Sequence, residues 1–385
     1  MTPVDLSALP PIEVGGRIAA LVGRLPEIAG GLGALLVSDL TNLRWLTGFT
    51  GSNGWAVVTP DELVLVTDGR YGGQAAQQMA AGRADAIVPT RVLEGRSAAE
   101  LQDHIADVVQ GRGRVGFESA HVTHRDWTAY QESLAAELVP TVGVVERARR
   151  TKSPAEIARI AAACTIADQA LIDVVPRLLR PGVTEAAVRD ALESRMRELG
   201  AAGPSYETIV ATGRLNAPLP HHRPTRTAIE DGDTVIIDVG ALVDGYHSDL
   251  TRTFLVGEPT LLQLEVYEVV LAAQRAGVAA VRPGITTREL DAACREPITA
   301  AGYGPWFSHG TGHGVGLLIH EDPFVNASGE GVLQVGDVVT VEPGVYRGDL
   351  GGVRVEDLVE VTSDGCRVLT RSPKDSPCLP SPPTT

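Results

Sequence analysis

The strongest hydrophobic runs of this chain are short and β-branched, and two of them close in the same way. Gly232-Asp233-Thr234-Val235-Ile236-Ile237-Asp238-Val239-Gly240 recurs 104 positions later as Gly336-Asp337-Val338-Val339-Thr340-Val341-Glu342-Pro343-Gly344. Each copy reads as a Gly-Asp turn, a buried strand, an acid, one residue and Gly. A second echo, Arg180-Pro181-Gly182-Val183-Thr184 and Arg282-Pro283-Gly284-Ile285-Thr286, is offset by 102. Two matches at nearly one spacing point to a duplication. Apolar periodicity predicts helices over 154–175 and 185–199, then again over 262–281 and 286–301. Strands are expected over 208–211, 234–239 and 249–256, and in the second copy around 313, over 338–341 and over 357–361. Helix-helix-strands, twice, is an α+β layer arrangement. Ser153-Pro154-Ala155-Glu156 announces the first helix, with Ser at N-cap, Pro at N1 and Glu at N3.

The first 145 residues have a different rhythm. Runs over 33–37, 55–58 and 63–66 read as buried strands, the last two joined by a turn at Thr59-Pro60-Asp61-Glu62. Helical patterns follow over 98–109 and 126–136, with short strands around 115 and 139. This is a smaller α/β domain. The basic stretch from Glu146 to Lys152 marks the boundary. The expected division is therefore 1–146, 147–370, and a disordered Pro/Ser-rich tail over 371–385.

Duplication gives the acids their interest. Taken singly, Asp238 reads as well as a turn or cap residue, Asp249 as a solvated strand end, and Glu356 as half of a surface ion pair with Arg354. Taken together, each half supplies an acid at the end of one strand and another on the next. Asp249 follows Asp238 by 11 and Glu356 follows Glu342 by 14. The fifth element is the segment from Ser308 to Glu321, where glycines 310, 312, 314 and 316 would line one face of an extended chain. His309, Thr311, His313 and Val315 would line the other. Four carboxylates brought together need a cation to stay ionised. With one imidazole they suit manganese, cobalt, iron or zinc, and two ions ~3.5–4 Å apart fit the count.

Composition narrows the classes further. A formal net charge of −15 disfavours a nucleic-acid partner. Cys164, Cys294, Cys366 and Cys378 lie far apart, which fits free thiols in a reducing cytoplasm. Neither a signal peptide nor a membrane span is expected, since no apolar run approaches ~18–20 residues.

The segment from His309 to Glu321 resembles the proline-peptidase signature of the pita-bread metallopeptidases. That family includes Xaa-Pro aminopeptidase, Xaa-Pro dipeptidase (prolidase) and methionine aminopeptidase. Asp238, Asp249, His313, Glu342 and Glu356 fall in order on its five metal ligands. Asn42-Leu43-Arg44-Trp45-Leu46-Thr47-Gly48-Phe49 and Thr67-Asp68-Gly69-Arg70-Tyr71 resemble the creatinase-type N-terminal domain of the Xaa-Pro enzymes. Trp45 stands where such domains often have Tyr.

The resemblance implies a catalytic pita-bread domain with two divalent ions, manganese first. Asp249 and Glu356 would bridge both ions, Asp238 would hold one, and His313 and Glu342 the other. A water activated by the ions would be the nucleophile, with Glu342 moving its proton to the leaving nitrogen. His221 and His320 would join it in catalysis, His221 on the substrate and His320 at the scissile carbonyl. His309, Tyr346 and Arg354 would complete the substrate side. His222 is the competing choice beside His221, while Asp244 and His247 read as structural.

The implied activity is removal of an N-terminal residue that precedes proline. A bond to proline lacks the N–H that ordinary peptidases engage. The alternatives are a strict Xaa-Pro dipeptidase, a metal-dependent lyase or other hydrolase on this fold, and a binding protein on a retired peptidase fold. Proline-containing peptides are the expected partners, and a homodimer the expected assembly.

Overall fold

The computed structural model describes residues 4–378, in two compact units: 11–149, and 150–378 with 4–10. The break falls at Arg149/Arg150, a few residues beyond the expected 146/147. The helix Val144–Arg149 belongs to the first unit because Asn42 donates to Glu146 at 2.9 Å. Residues 4–10 belong to the second unit, against expectation. Val4 N–H donates to the Leu199 carbonyl at 3.0 Å, and Arg159 donates to the Pro10 carbonyl at 2.8 Å.

The smaller unit is a six-stranded sheet with helices packed on it. Its strand order is Thr90–Gly95, Leu63–Asp68, Gly54–Val58, Ala34–Val37, Arg114–Glu118, Glu137–Thr141. The Gly54–Val58 strand runs antiparallel to both neighbours, and the remaining pairs are parallel. Thr90–Gly95 carried no expectation. It is an edge strand with mostly half-exposed side chains, so it lacks an apolar run. The helices Gly15–Arg24, Leu40–Thr47 and Gly72–Ala81 were likewise unannounced. Leu40–Thr47 had a readable start and stop, with Asp39 capping two N–H groups and Gly48 left-handed at the end.

The larger unit repeats itself. Helices Pro154–Leu178 and Glu185–Glu198 precede a sheet of Ile209–Thr212, Thr234–Asp238 and Thr251–Leu255. Helices Leu261–Ala280 and Thr287–Ala300 precede a sheet containing Gly312–Gly314, Val338–Val341 and Asp357–Thr362. Each half has its own hydrophobic core between helices and sheet. The Ser153 capping box forms as read, and Thr260 with Gln263 and Thr286 with Glu289 form two more.

Residues 371–378 correct the expectation of a disordered tail. Ser372 is buried and donates its N–H and hydroxyl to Asp168, both at 2.7 Å. Leu255 N–H donates to the Pro377 carbonyl at 2.8 Å. Buried partners supply order that the polar composition of the segment concealed. Residues 379–385 of that expectation lie outside the described residues.

Candidate metal centre

The two halves bring all five sequence-derived ligands to one place. Asp238 ends the Thr234–Asp238 strand, opposite Thr251 in the antiparallel register. Asp249 precedes that partner strand and is 5% exposed. Carboxylate oxygens of Asp238, Asp249 and Glu356 lie within 4.8 Å of one another. His313 Nε2 stands 3.5 Å from Asp249 and 3.4 Å from Glu342. His313 Nδ1 lies 3.1 Å from the Gly314 carbonyl. A carbonyl only accepts, so Nδ1 carries a proton, and Nε2 is the ring nitrogen turned toward the cluster.

The glycine alternation works as the sequence suggested. A Cβ on Gly312 would sit 2.1 Å from the Thr340 carbonyl oxygen, and one on Gly314 2.3 Å from that of Asp322. The bare backbone lets the His313 strand nest between its neighbours.

The cluster is electrostatically incomplete by itself. Burial, then repulsion from Asp238 and Glu342, pushes Asp249 well above the usual carboxylate range. Burial, then Asp249 and its neighbours, does the same to Glu356. Glu356 is 1% exposed, and its Oε2 accepts from Thr251 at 2.6 Å. Its Oε1 is buried with no hydrogen-bond partner. An orphaned carboxylate oxygen beside three other acids and an imidazole fits a divalent cation pair.

Tyr346 is buried and packs against His309, ring centroids 5.4 Å apart. His309 Nδ1 donates to the Gly310 carbonyl at 2.7 Å, which leaves Nε2 to accept from the Tyr346 hydroxyl at 2.8 Å. Arg354 donates to the Tyr346 oxygen at 2.9 Å and to Asp238 at 2.6 Å. Arg354 is 3% exposed. One donor chain thus runs from Arg354 through Tyr346 to His309. Burial, followed by Arg354, holds His309 below the ordinary imidazole range despite Glu342. Burial and His313 lower His320, whose ring meets His313 edge-on at 4.4 Å.

One of the two adjacent histidines is held by Glu185. Its buried carboxylate accepts from Thr212 N–H, Asn216, His222, and the N–H and hydroxyl of Thr225, all at 2.8–2.9 Å. His222 is therefore tied to Glu185, and both His221 and His222 line the cleft. Neither Glu185 nor Tyr206 was anticipated. The Tyr206 hydroxyl lies against both Asp238 and Asp249. Tyr206 stands in a loop, where no period marks it. Glu185 carried only a first-turn helix signal.

His247 Nδ1 lies 3.1 Å from the Ser205 hydroxyl, and Asp244 pairs with Arg159 at 2.6 Å. The cleft, ≈ 460 Å³, is lined by His221, His309, His313 and His320 beside the acids, with Ile319 and a 49% exposed Phe324 on its wall.

A duplicated helix-helix-sheet body with a shared acid-imidazole cluster defines a metallopeptidase of the pita-bread class. The model of metallopeptidase family M24 matches residues 158–363, and that of the creatinase/prolidase N-terminal domain matches 17–151. The chain belongs to metallopeptidase family M24. It is 40% identical over 273 residues to a Xaa-Pro dipeptidase of Pyrococcus furiosus, covering 71% of this chain and 78% of that one. A Xaa-Pro dipeptidase structure from Bacillus anthracis superposes with TM-score 0.89 at 38% identity, covering 94% and 99% of the two chains. An X-Pro aminopeptidase structure from Thermotoga maritima gives 0.83 at 30%, covering 93% and 99%. Among the described residues no helix is long and apolar enough to cross a membrane.

Proposed function

We propose that this chain is a two-metal Xaa-Pro peptidase. The observation that carries it is the convergence of Asp238, Asp249, His313, Glu342 and Glu356 around the bare Glu356 oxygen. Asp238, Asp249, His313, Glu342 and Glu356 would hold the ions. Bound ions would supply a nucleophilic water and stabilise charge on the scissile carbonyl. Glu342 would carry a proton to the proline nitrogen, which has none of its own. His320 and His221 line the same cleft and would hold the carbonyl and the peptide; His309, braced through Tyr346, would bound the substrate side.

The cleft favours aminopeptidase action on peptides longer than two residues. A dipeptide presents its own carboxylate, which calls for a cation. Of the two arginines among the described lining residues, Arg354 is buried against Asp238, while Arg223 is 82% exposed in a surface pair with Glu207 and stays open to exchange. Phe324 and Ile319 give an apolar outer wall. The second reading, a strict dipeptidase, is favoured by the names of the Pyrococcus and Bacillus relatives.

Manganese is the proposed native ion, with cobalt, zinc or iron as alternatives. A cytoplasmic homodimer completes the proposal, supported by free thiols and the N-terminal domain type. Purified protein should be assayed on Xaa-Pro and Xaa-Pro-Yaa-Zaa peptides, with chelator and with added manganese or cobalt. Metal-dependent turnover of the tetrapeptide supports the aminopeptidase; turnover of the dipeptide alone supports the dipeptidase. No turnover of either with metal present overturns the peptidase reading.

A further inference from the structure

Thr251 and Arg252 are neighbours on one strand, so their side chains point to opposite faces. Thr251 faces the acids and donates to Glu356 Oε2. Arg252 faces away, fully buried, and grips the same stretch from behind. Its guanidinium donates to the Glu356 carbonyl, to Asp357 Oδ1 at 2.9 Å, and to the Ser372 carbonyl at 3.0 and 2.7 Å. The main chain of Glu356 is thus tied to residue 372 through a single planar fork.

The 371–378 segment closes this back side. Asp168, on the first helix of one half, accepts from Arg371 N–H, Ser372 N–H and the Ser372 hydroxyl, each at 2.7 Å. Lys374 reaches Asp357 Oδ2 and Gln274 Oε1, and Gln274 donates to Asp357 at 2.9 Å. The Tyr267 hydroxyl donates to the Lys374 carbonyl at 2.8 Å. Gln274 and Tyr267 lie on the first helix of the other half. Two cations, Arg252 and Lys374, face two anions, Asp168 and Asp357, in a closed network that spans both halves.

We propose that residues 371–378 form a strap that positions Glu356 for the metal pair, with Lys374 and Ser372 as positioning residues acting through Asp357 and Arg252. The strap is more than a staple for the fold because its fork ends on the backbone of a ligand. Releasing it takes Lys374 from Asp357 and the Ser372 carbonyl from Arg252, leaving Asp357 to Arg252, Gln274 and Thr370, and loosens the backing of Glu356. The inference rests on the two-ion reading of the site.

Co²⁺ binding to the full chain tests it, read by calorimetry and by the visible spectrum of the bound ion. Lys374→Met should weaken Co²⁺ binding about tenfold or more, the scale on which groups behind metal ligands act. It should also alter the visible bands. Lys374→Arg should restore most of both, and Lys374→Gln, which keeps a donor, should fall between. Arg275→Ala, which cuts only the outer pair to Asp375 on the same segment, should leave both unchanged. Circular dichroism of each metal-free variant identifies any that does not fold; the Gln and Arg variants then carry the comparison. Unchanged affinity and spectrum in Lys374→Met and Lys374→Gln, beside intact wild-type binding, overturn the strap alone. A wild-type protein that takes up no Co²⁺ overturns the two-ion reading and the strap together.

Discussion

Glu356 keeps one oxygen without a partner in a site almost closed to water. A buried carboxylate in that condition is costly unless it is protonated or meets a cation. Glu356→Gln should therefore leave the metal-free protein at least as stable as wild type. It should also remove most of the gain in melting temperature on adding manganese. Thermal melts with chelator and with metal check both statements, and a metal-free variant that melts well below wild type contradicts the first. His309 makes a second prediction. Its burial places the folded-state pKa below the ordinary value of 6.5, so the unfolded chain takes up that proton first as pH falls. The resulting stability is fully present above about pH 6.5 and lost as pH drops toward the folded value. His309→Gln should flatten this acid slope in urea titrations at pH 7.5 and 5.5. A slope equal to that of wild type would show that His309 is not its source.

At the scale of elements, the loop over 212–225 depends on one helix residue. Glu185 collects five donors from both ends of that loop, and His221 rides on it. Glu185→Ala leaves several buried donors unpaired and should cost roughly 3 kcal/mol of stability. Because the loop aims a substrate-side histidine and touches no metal ligand, KM should rise more than kcat falls. Co²⁺ affinity should stay near that of wild type. Steady-state kinetics beside metal titration separate this from a general loosening of the site, which would shift all three. The strap and this loop work in parallel: each is an ordinary polar segment given one geometry by a buried carboxylate.

At the scale of the whole chain, the metal centre is where two hydrophobic cores meet through their sheets. Thr253 of the first half donates to the Arg354 carbonyl of the second at 2.8 Å, next to the Thr251–Glu356 contact. Divalent ions bound there, as proposed, would hold both halves. At about 100 times its Kd, one bound ion adds about 2.7 kcal/mol to the stability of the unit that binds it. Hydrogen exchange with and without manganese should show new protection in Thr234–Asp238, Val338–Val341 and Asp357–Thr362 together. The sheet of residues 11–149 should not change. Protection confined to one half would contradict a shared site.

Local periodicity was enough to show the duplication, the four long helices of the larger unit and the strands that end in acids. The physical reason is that buried strands and amphipathic helices write their periods into neighbouring residues. The five candidate ligands stood out because duplication repeats an acid in one local context, and because alternating glycines frame His313. Other features had no such trace. Tyr206 reaches Asp238 and Asp249 from a loop, Glu185 holds His222, and Lys374 and Ser372 lock residues far away in sequence. Each of these depends on which side chains meet across the fold. A polar residue is free, paired or poised according to its neighbours in space, and only tertiary packing chooses those neighbours.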